Sequence, residues 1–176
     1  VVTLTSNNPS LLLISATPTA AGSASIGITM LGPNAFQGTY YLQALSGSGT
    51  ATYTASAPGY APRTGTITLT PSGVILWDGS YPGNMIFGNT VIASMAQLDP
   101  AGNTFVQVQQ LAGGMAPVSI DLSTDMPSAT ITTPVVISAG SDSTTATLTG
   151  SGYGHVTAST PSGYTTSNLQ SVTVFF

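Results

Sequence analysis

Charge is the scarcest ingredient of this chain. Of its 176 residues 3% are charged, against roughly 25% in an average soluble domain. Lysine and glutamate are absent, and the one strong cation is Arg63. The carboxylates are Asp78, Asp99, Asp121, Asp125 and Asp142, and the one imidazole is His155. Each shortage excludes a class of partner. Nucleic-acid binding needs several Lys or Arg to displace the counterions on phosphates, and anionic lipid headgroups make the same demand. The net charge of −4 is spread over separate aspartates, so there is no acidic tail. Cysteine is missing too, which removes disulfides and Cys-based zinc sites but leaves the compartment open. No apolar run approaches the ~20 residues of a membrane-spanning helix, so no membrane insertion is expected. The opening VVTLTSNNPS has no Met and no basic segment before an apolar core. Any export signal is therefore expected to be removed or to lie upstream.

What is present is apolar and hydroxylic. Hydrophobic residues make up 41%, and Ser and Thr more than a quarter. Short runs alternate apolar and polar: Val118, Ile120 and Leu122; Ala146 and Leu148; Val156 and Ala158; Val172 and Val174. The first half shows the same period of two at Val2 and Leu4, at Ile26, Ile28 and Met30, at Ala51, Tyr53 and Ala55, and at Ile67 and Leu69. This is the mark of strands with one face on a core and one on solvent. Further strands are expected at 90–98 and 104–111, joined by the turn sequence Asp99-Pro-Ala-Gly-Asn103. No segment sustains a helical period, and strands so short and so closely spaced point to sandwiches.

The chain also repeats itself. VTLTSNNPS at 2–10 matches VSIDLSTDMPS at 118–128, and Ala21-Gly22-Ser23 matches Ala139-Gly140-Ser141. GTATYTASAPGY at 49–60 matches GHVTASTPSGY at 154–164, and each copy ends in a strand, TITLT at 66–70 and SVTV at 171–174. The first copy carries about fourteen additional residues near 31–45, read as a longer hairpin. The second copy has strands ahead of Val118 that the first copy lacks. The fold class is therefore all-β, two tandem immunoglobulin-like β-sandwich domains. Residues 74–176 form a complete module. Residues 1–73 form one missing its first strand or strands, which either belong to a longer polypeptide or come from elsewhere, a neighbouring subunit being one donor.

The run AQLDPAGNTFVQVQQLAGG (96–114), with VSIDLSTDMPSATITTPVVISAGSDSTTATL and TASTPSGY after it, resembles the repeated Ig-like modules of large bacterial secreted and cell-surface proteins. The resemblance implies extracellular stalks, adhesin shafts or accessory modules. It departs from such modules in its low charge, because many of them carry acidic calcium sites.

Candidate chemistry is sparse. Nucleophilic catalysis needs a base beside a hydroxyl, oriented by a third group. His155 falls on the outward phase of a strand and is read as a solvent-facing or interface histidine. Asp121 and Asp125 are read as loop carboxylates, not as a glycosidase pair. Asp121, Asp125 and Asp142 are weak calcium candidates, provided their loops converge; no cofactor is expected. The candidate contact residues are aromatic: Trp77 and Tyr81 near the joint, and Phe36, Tyr40 and Tyr41 in the added hairpin. Sheet edges normally carry charges that oppose edge-to-edge pairing, and this chain has almost none. The leading expectation is a non-enzymatic structural repeat unit of an extracellular fibre, filament or surface stalk, with copies of itself as partner. The alternatives are an adhesin or carbohydrate-binding module meeting surface glycans, and an accessory spacer of a secreted enzyme.

Overall fold

The computed structural model describes residues 1–30 and 38–176, and every regular element among them is a strand. The chain divides into two compact units, Val1–Thr70 with Ala112–Met115, and Pro71–Leu111 with Ala116–Phe176.

Unit one contains β1 (Val2–Ser6), β2 (Leu12–Ser15), β3 (Ser25–Ile28), β4 (Tyr41–Ala44), β5 (Gly49–Ser56) and β6 (Arg63–Leu69). One antiparallel sheet runs β3-β1-β5-β6, and β2 pairs with β4 in a second. The period-two pattern places Leu4 and Ser6 inward and Thr3 and Thr5 outward. The fully buried apolar side chains among the described residues here are Leu4, Leu12, Ile14, Ala51 and Leu69. Buried Gln43 on β4 spends its amide on the neighbouring loop. Its Oε1 accepts from Gly22 N–H (2.8 Å) and its Nε2–H donates to the Ala20 carbonyl (2.8 Å). A buried amide left without those partners would be costly.

Unit two contains β7 (Ser72–Trp77), β8 (Ile86–Phe87), β9 (Thr90–Leu98), β10 (Phe105–Val108), β11 (Val118–Ile120), β12 (Leu122–Thr124), β13 (Ala129–Ile131), β14 (Val135–Ile137), β15 (Ser143–Gly150), β16 (Tyr153–Ala158) and β17 (Ser171–Phe175). β9 is central: β7 pairs with one edge, and β15 and β10 share the other, with β13 beyond β15. The second sheet runs β12-β16-β17-β8, in which β8 lies parallel to β17. The orders β7-β9-β15-β13 and β12-β16-β17 are those of the two sheets of an immunoglobulin sandwich. Between β9 and β10, Asp99 Oδ1 accepts from the backbone N–H groups of Gly102 (3.0 Å), Asn103 and Thr104 (both 3.2 Å). These donors, Thr104 first, hold its carboxyl below the ordinary aspartate value.

The core of unit two lies between the sheets, with Val74, Leu76, Met95, Ile120, Ile137, Leu148, Val156 and Val174 at its centre. β7 and β9 are buried on both faces. Their other sides, at Ile75, Ala96 and Leu98, pack with Trp77, Phe105, Val108 and Leu169. That explains why 74–77 reads as a continuous apolar run and the remaining strands as alternating ones.

The internal repeat holds at the level of register. Leu4 lies opposite Ala55 as Leu122 lies opposite Ala158, and Tyr53 opposite Gly65 as Val156 lies opposite Val172. β1-β5-β6 therefore corresponds to β12-β16-β17. The correspondence stops at β3, which pairs with β1, whereas its counterpart β15 pairs with β9 and β13.

Candidate functional site

Asp125 and His155 meet at the end of β12. The register that sets Thr124 opposite Val156 brings the next residue, Asp125, opposite His155. The His155 amide N–H donates to Asp125 Oδ1 (2.6 Å), and Asp125 Oδ2 lies 2.9 Å from His155 Nδ1. Both side chains are more than half exposed. The backbone N–H of His155 first, and its ring second, hold the Asp125 carboxyl below its usual value. An acid oriented on a histidine is two thirds of a nucleophilic triad. No third member completes it, since the ring makes no other hydrogen bond among the described residues.

Unit one shows what this position does. There Asn7 follows β1 as Asp125 follows β12. The Asn7 N–H donates to the Thr52 carbonyl (2.9 Å) as the Asp125 N–H donates to the His155 carbonyl (3.2 Å). Asn7 Nδ2–H donates to Thr52 Oγ1 (2.9 Å), and the Thr52 N–H donates to Asn8 Oδ1 (3.0 Å). Two asparagines thus make the tie that one aspartate makes in unit two. The shared task is to fasten the end of one strand to the next, and it needs no titratable group.

A depressed carboxyl pKa contributes stability above the unfolded-state value of about 3.9 and loses it as pH falls through the folded value. Asp125→Asn should therefore remove part of the acid-side slope of unfolding stability below about pH 4. At neutral pH it should be modestly less stable than the wild type, because the amide oxygen keeps the backbone N–H bond but loses its charge-assisted part, and the two proteins should converge as pH falls through the folded value. Urea titrations of both proteins from pH 2 to 7 measure this, and identical slopes would contradict it.

The remaining candidates are dispersed. Among the described residues no three of His, Asp, Glu or Cys come together to hold a metal ion. Asp125 is engaged by His155, and Asp142 Oδ1 accepts from the Ser143 hydroxyl (2.8 Å). The Asp121 amide donates to Ser159 Oγ (3.1 Å). Trp77 ends β7 half-buried, its Nε1–H donating to buried Ser94 Oγ (2.9 Å). Tyr81 is exposed. Tyr40 meets Tyr53 edge-to-face, with centroids 5.8 Å apart and hydroxyls 2.6 Å apart. That hydrogen bond, then burial, raises the Tyr40 pKa. The Tyr53 ring in turn covers Gly65, where a Cβ would stand 2.6 Å from it. Tyr41 is half-buried opposite Ser15. Phe36 lies outside the described residues.

Sequence patterning does not reveal the most exposed aromatic group on a sheet. Tyr153 pairs with Phe175, and Phe175 pairs with Phe87, so three rings stand side by side on β16, β17 and β8. They are 64%, 54% and 78% exposed. Their strand neighbours Gly154, Val174 and Ile86 are buried, so the rings occupy the outer face. The residues are far apart in sequence, and only the register assembles them.

No protein-family model matches the chain, and no curated protein matches it. Among solved structures it is similar to those of the surface-layer protein SbsC. Domains 4–9 of SbsC give a TM-score of 0.35 at 14% identity, covering 99% of this chain and 21% of that one. The S-layer protein rSbsC(31-844) gives 0.31 at 17%, covering 99% and 19%. Domains 5–6 give 0.29 at 15%, covering 99% and 80%. The chain spans about a fifth of the length of the two longer structures.

Proposed function

We propose that this chain is a structural unit of an extracellular, cell-surface assembly, with no catalysis of its own, and that further copies join it by strand addition at the outer edge of β6. The observation that supports this most is the unequal covering of two equivalent edges. β17 in unit two carries β8 along its outer edge, and the Gly88 N–H donates to the Phe175 carbonyl (2.9 Å). Among the described residues β6, its counterpart, is the last strand of its sheet. The inner face beside it is also less covered. Val156, Val172 and Val174 are fully buried, while their counterparts Tyr53, Gly65 and Ile67 are half-buried. An added strand would pair the open backbone groups and bury apolar surface, at roughly 25 cal/mol per Å². The one charge on β6 is Arg63 at its start, so little opposes pairing.

Thr66 and Thr68 are exposed on β6. Thr66→Lys with Thr68→Lys places two charges along that edge, at a cost to folding of no more than about 1 kcal/mol for two surface changes. Sedimentation velocity over a concentration series should show association of the wild-type chain and a monomer for the double variant. A wild type that stays monomeric at the highest concentration, or a variant that associates equally well, would refute the edge-pairing reading.

A further inference from the structure

We propose that the outer face of the β12-β16-β17-β8 sheet binds a neutral polysaccharide chain, with Tyr153, Phe175 and Phe87 as its stacking platform. The first reason is an internal control. The positions in unit one that correspond to Tyr153 and Phe175 are Thr50 and Thr68, paired with each other in the same register and likewise exposed. The fold needs only threonine there. The other outward residues of β16 and β17 are His155, Thr157, Ser171 and Thr173, which follow that polar rule. The three rings break it at one row only, and exposed rings contribute nothing to the core behind them.

The second reason is what flanks the row. Adjacent strands lie about 4.8 Å apart, so the three rings stand in a row roughly 10 Å long. One step along the strands comes a hydrogen-bonding row, Asp125–His155–Thr173. One step further comes a hydroxyl row, in which Thr157 Oγ1 and Ser171 Oγ are 3.0 Å apart and Ser123 lies opposite Thr157. The Asp125 bond holds the half-exposed His155 by Nδ1 and leaves Nε2 without a hydrogen bond among the described residues. A pyranose presents apolar C–H groups on one face and hydroxyls around its rim. The C–H groups suit the electron-rich faces of aromatic rings, and the hydroxyls suit a row of donors and acceptors beside them.

The third reason is charge. Asp125 and His155 are the only titratable groups on these three rows besides the Tyr153 phenol, and neither Lys nor Arg stands among them. An anionic polymer or headgroup would find no counter-charge. A row of exposed rings is also unlike the packed, desolvated anchor sites of protein interfaces. The inference is independent of strand pairing at β6.

The test uses the full chain, retention on insoluble cellulose and chitin, and calorimetric titration with cellohexaose and chitohexaose. These arms separate a plain glucan from an N-acetylated one. The variant Phe87→Thr/Tyr153→Thr/Phe175→Thr restores the unit-one pattern, and Tyr81→Ala removes an exposed aromatic outside the row. Wild type and Tyr81→Ala should bind at least one of the two polymers, and the triple variant should bind at least about tenfold more weakly with an unchanged unfolding midpoint. Thr66→Lys/Thr68→Lys should bind as wild type does, which keeps failure of edge pairing distinct from failure here. Absence of binding to every probe, or equal binding by the triple variant, overturns the proposal. So does a wild-type dimer that the triple variant abolishes without any polysaccharide being retained, because the row would then be a contact between copies.

Discussion

Replacing Leu148 with alanine is expected to lower the unfolding free energy of unit two by about 2–5 kcal/mol, the range for a buried leucine whose cavity cannot fully collapse. Leu148 is 1% exposed on β15, lies opposite Ile131 of β13, and sits in the core between the two sheets. β15 is also paired to β9 along its first half, so the backbone around the cavity is held on both sides and has little freedom to close it. For a unit of about this size the change corresponds to a fall in melting temperature on the order of 10 °C or more. Trp77, the one tryptophan, lies on β7 and reports unit two selectively. Urea unfolding followed by its fluorescence measures the loss. Thr147→Ala, one residue away on the exposed face, should stay within about 0.5 kcal/mol. Equal effects of the two substitutions would mean that β15 does not present the face described.

That contrast between adjacent residues is what makes the strands legible in the sequence. Burial on one side of a strand writes a period of two into a few consecutive residues, and Ala146/Leu148, Val156/Ala158 and Val172/Val174 fall on β15, β16 and β17. The Asp99 turn is equally local, one carboxylate accepting from three amides within five residues. β7 and β9 belong to the same logic, because burial on both faces removes the alternation.

What stays hidden depends on register. Asp125 and His155 are drawn together only by the pairing of β12 with β16, and no spacing rule links residues thirty apart. The row Phe87, Tyr153 and Phe175 needs two pairings at once, one of them parallel. The sequence offers only part of the signal. Laying GTATYTASAPGY over the second copy puts Thr50 against Tyr153, but the match of TITLT with SVTV puts Thr68 against Thr173, and only the pairing registers bring Thr68 to the place of Phe175. The pairing of β3 with β1 is not legible either, because the repeat points to the arrangement of β15.

The loop Thr165–Leu169 closes the outer edge of β7, and Gly73 is the residue that lets it do so. The Leu76 N–H donates to the Leu169 carbonyl (2.9 Å), the Thr165 N–H to the Ser72 carbonyl (2.8 Å), and the Ser167 hydroxyl to the Val74 carbonyl (2.5 Å). A Cβ at Gly73 would stand 2.5 Å from the Thr165 carbonyl oxygen and 2.9 Å from a Leu98 methyl. The first of these neighbours is backbone and gives way only if the loop moves. Gly73→Val is therefore expected to cost about 3 kcal/mol in overpacking, with about 1 kcal/mol more for each hydrogen bond released. Ser167→Ala leaves the backbone bonds of the loop in place and removes a hydroxyl that donates to the Val74 carbonyl and accepts from the Leu169 N–H (3.2 Å), so it should cost about 1–3 kcal/mol. Trp77 fluorescence ranks the two in urea, and hydrogen exchange locates the damage. The amides of Leu76 and Thr165 should lose protection in Gly73→Val and keep it in Ser167→Ala. A protected Leu76 amide in Gly73→Val would show that the edge stays closed without the glycine. An opened β7 edge would lie in a chain with no Lys or Glu to guard it, so Gly73→Val should also aggregate through a strand that the native fold keeps covered.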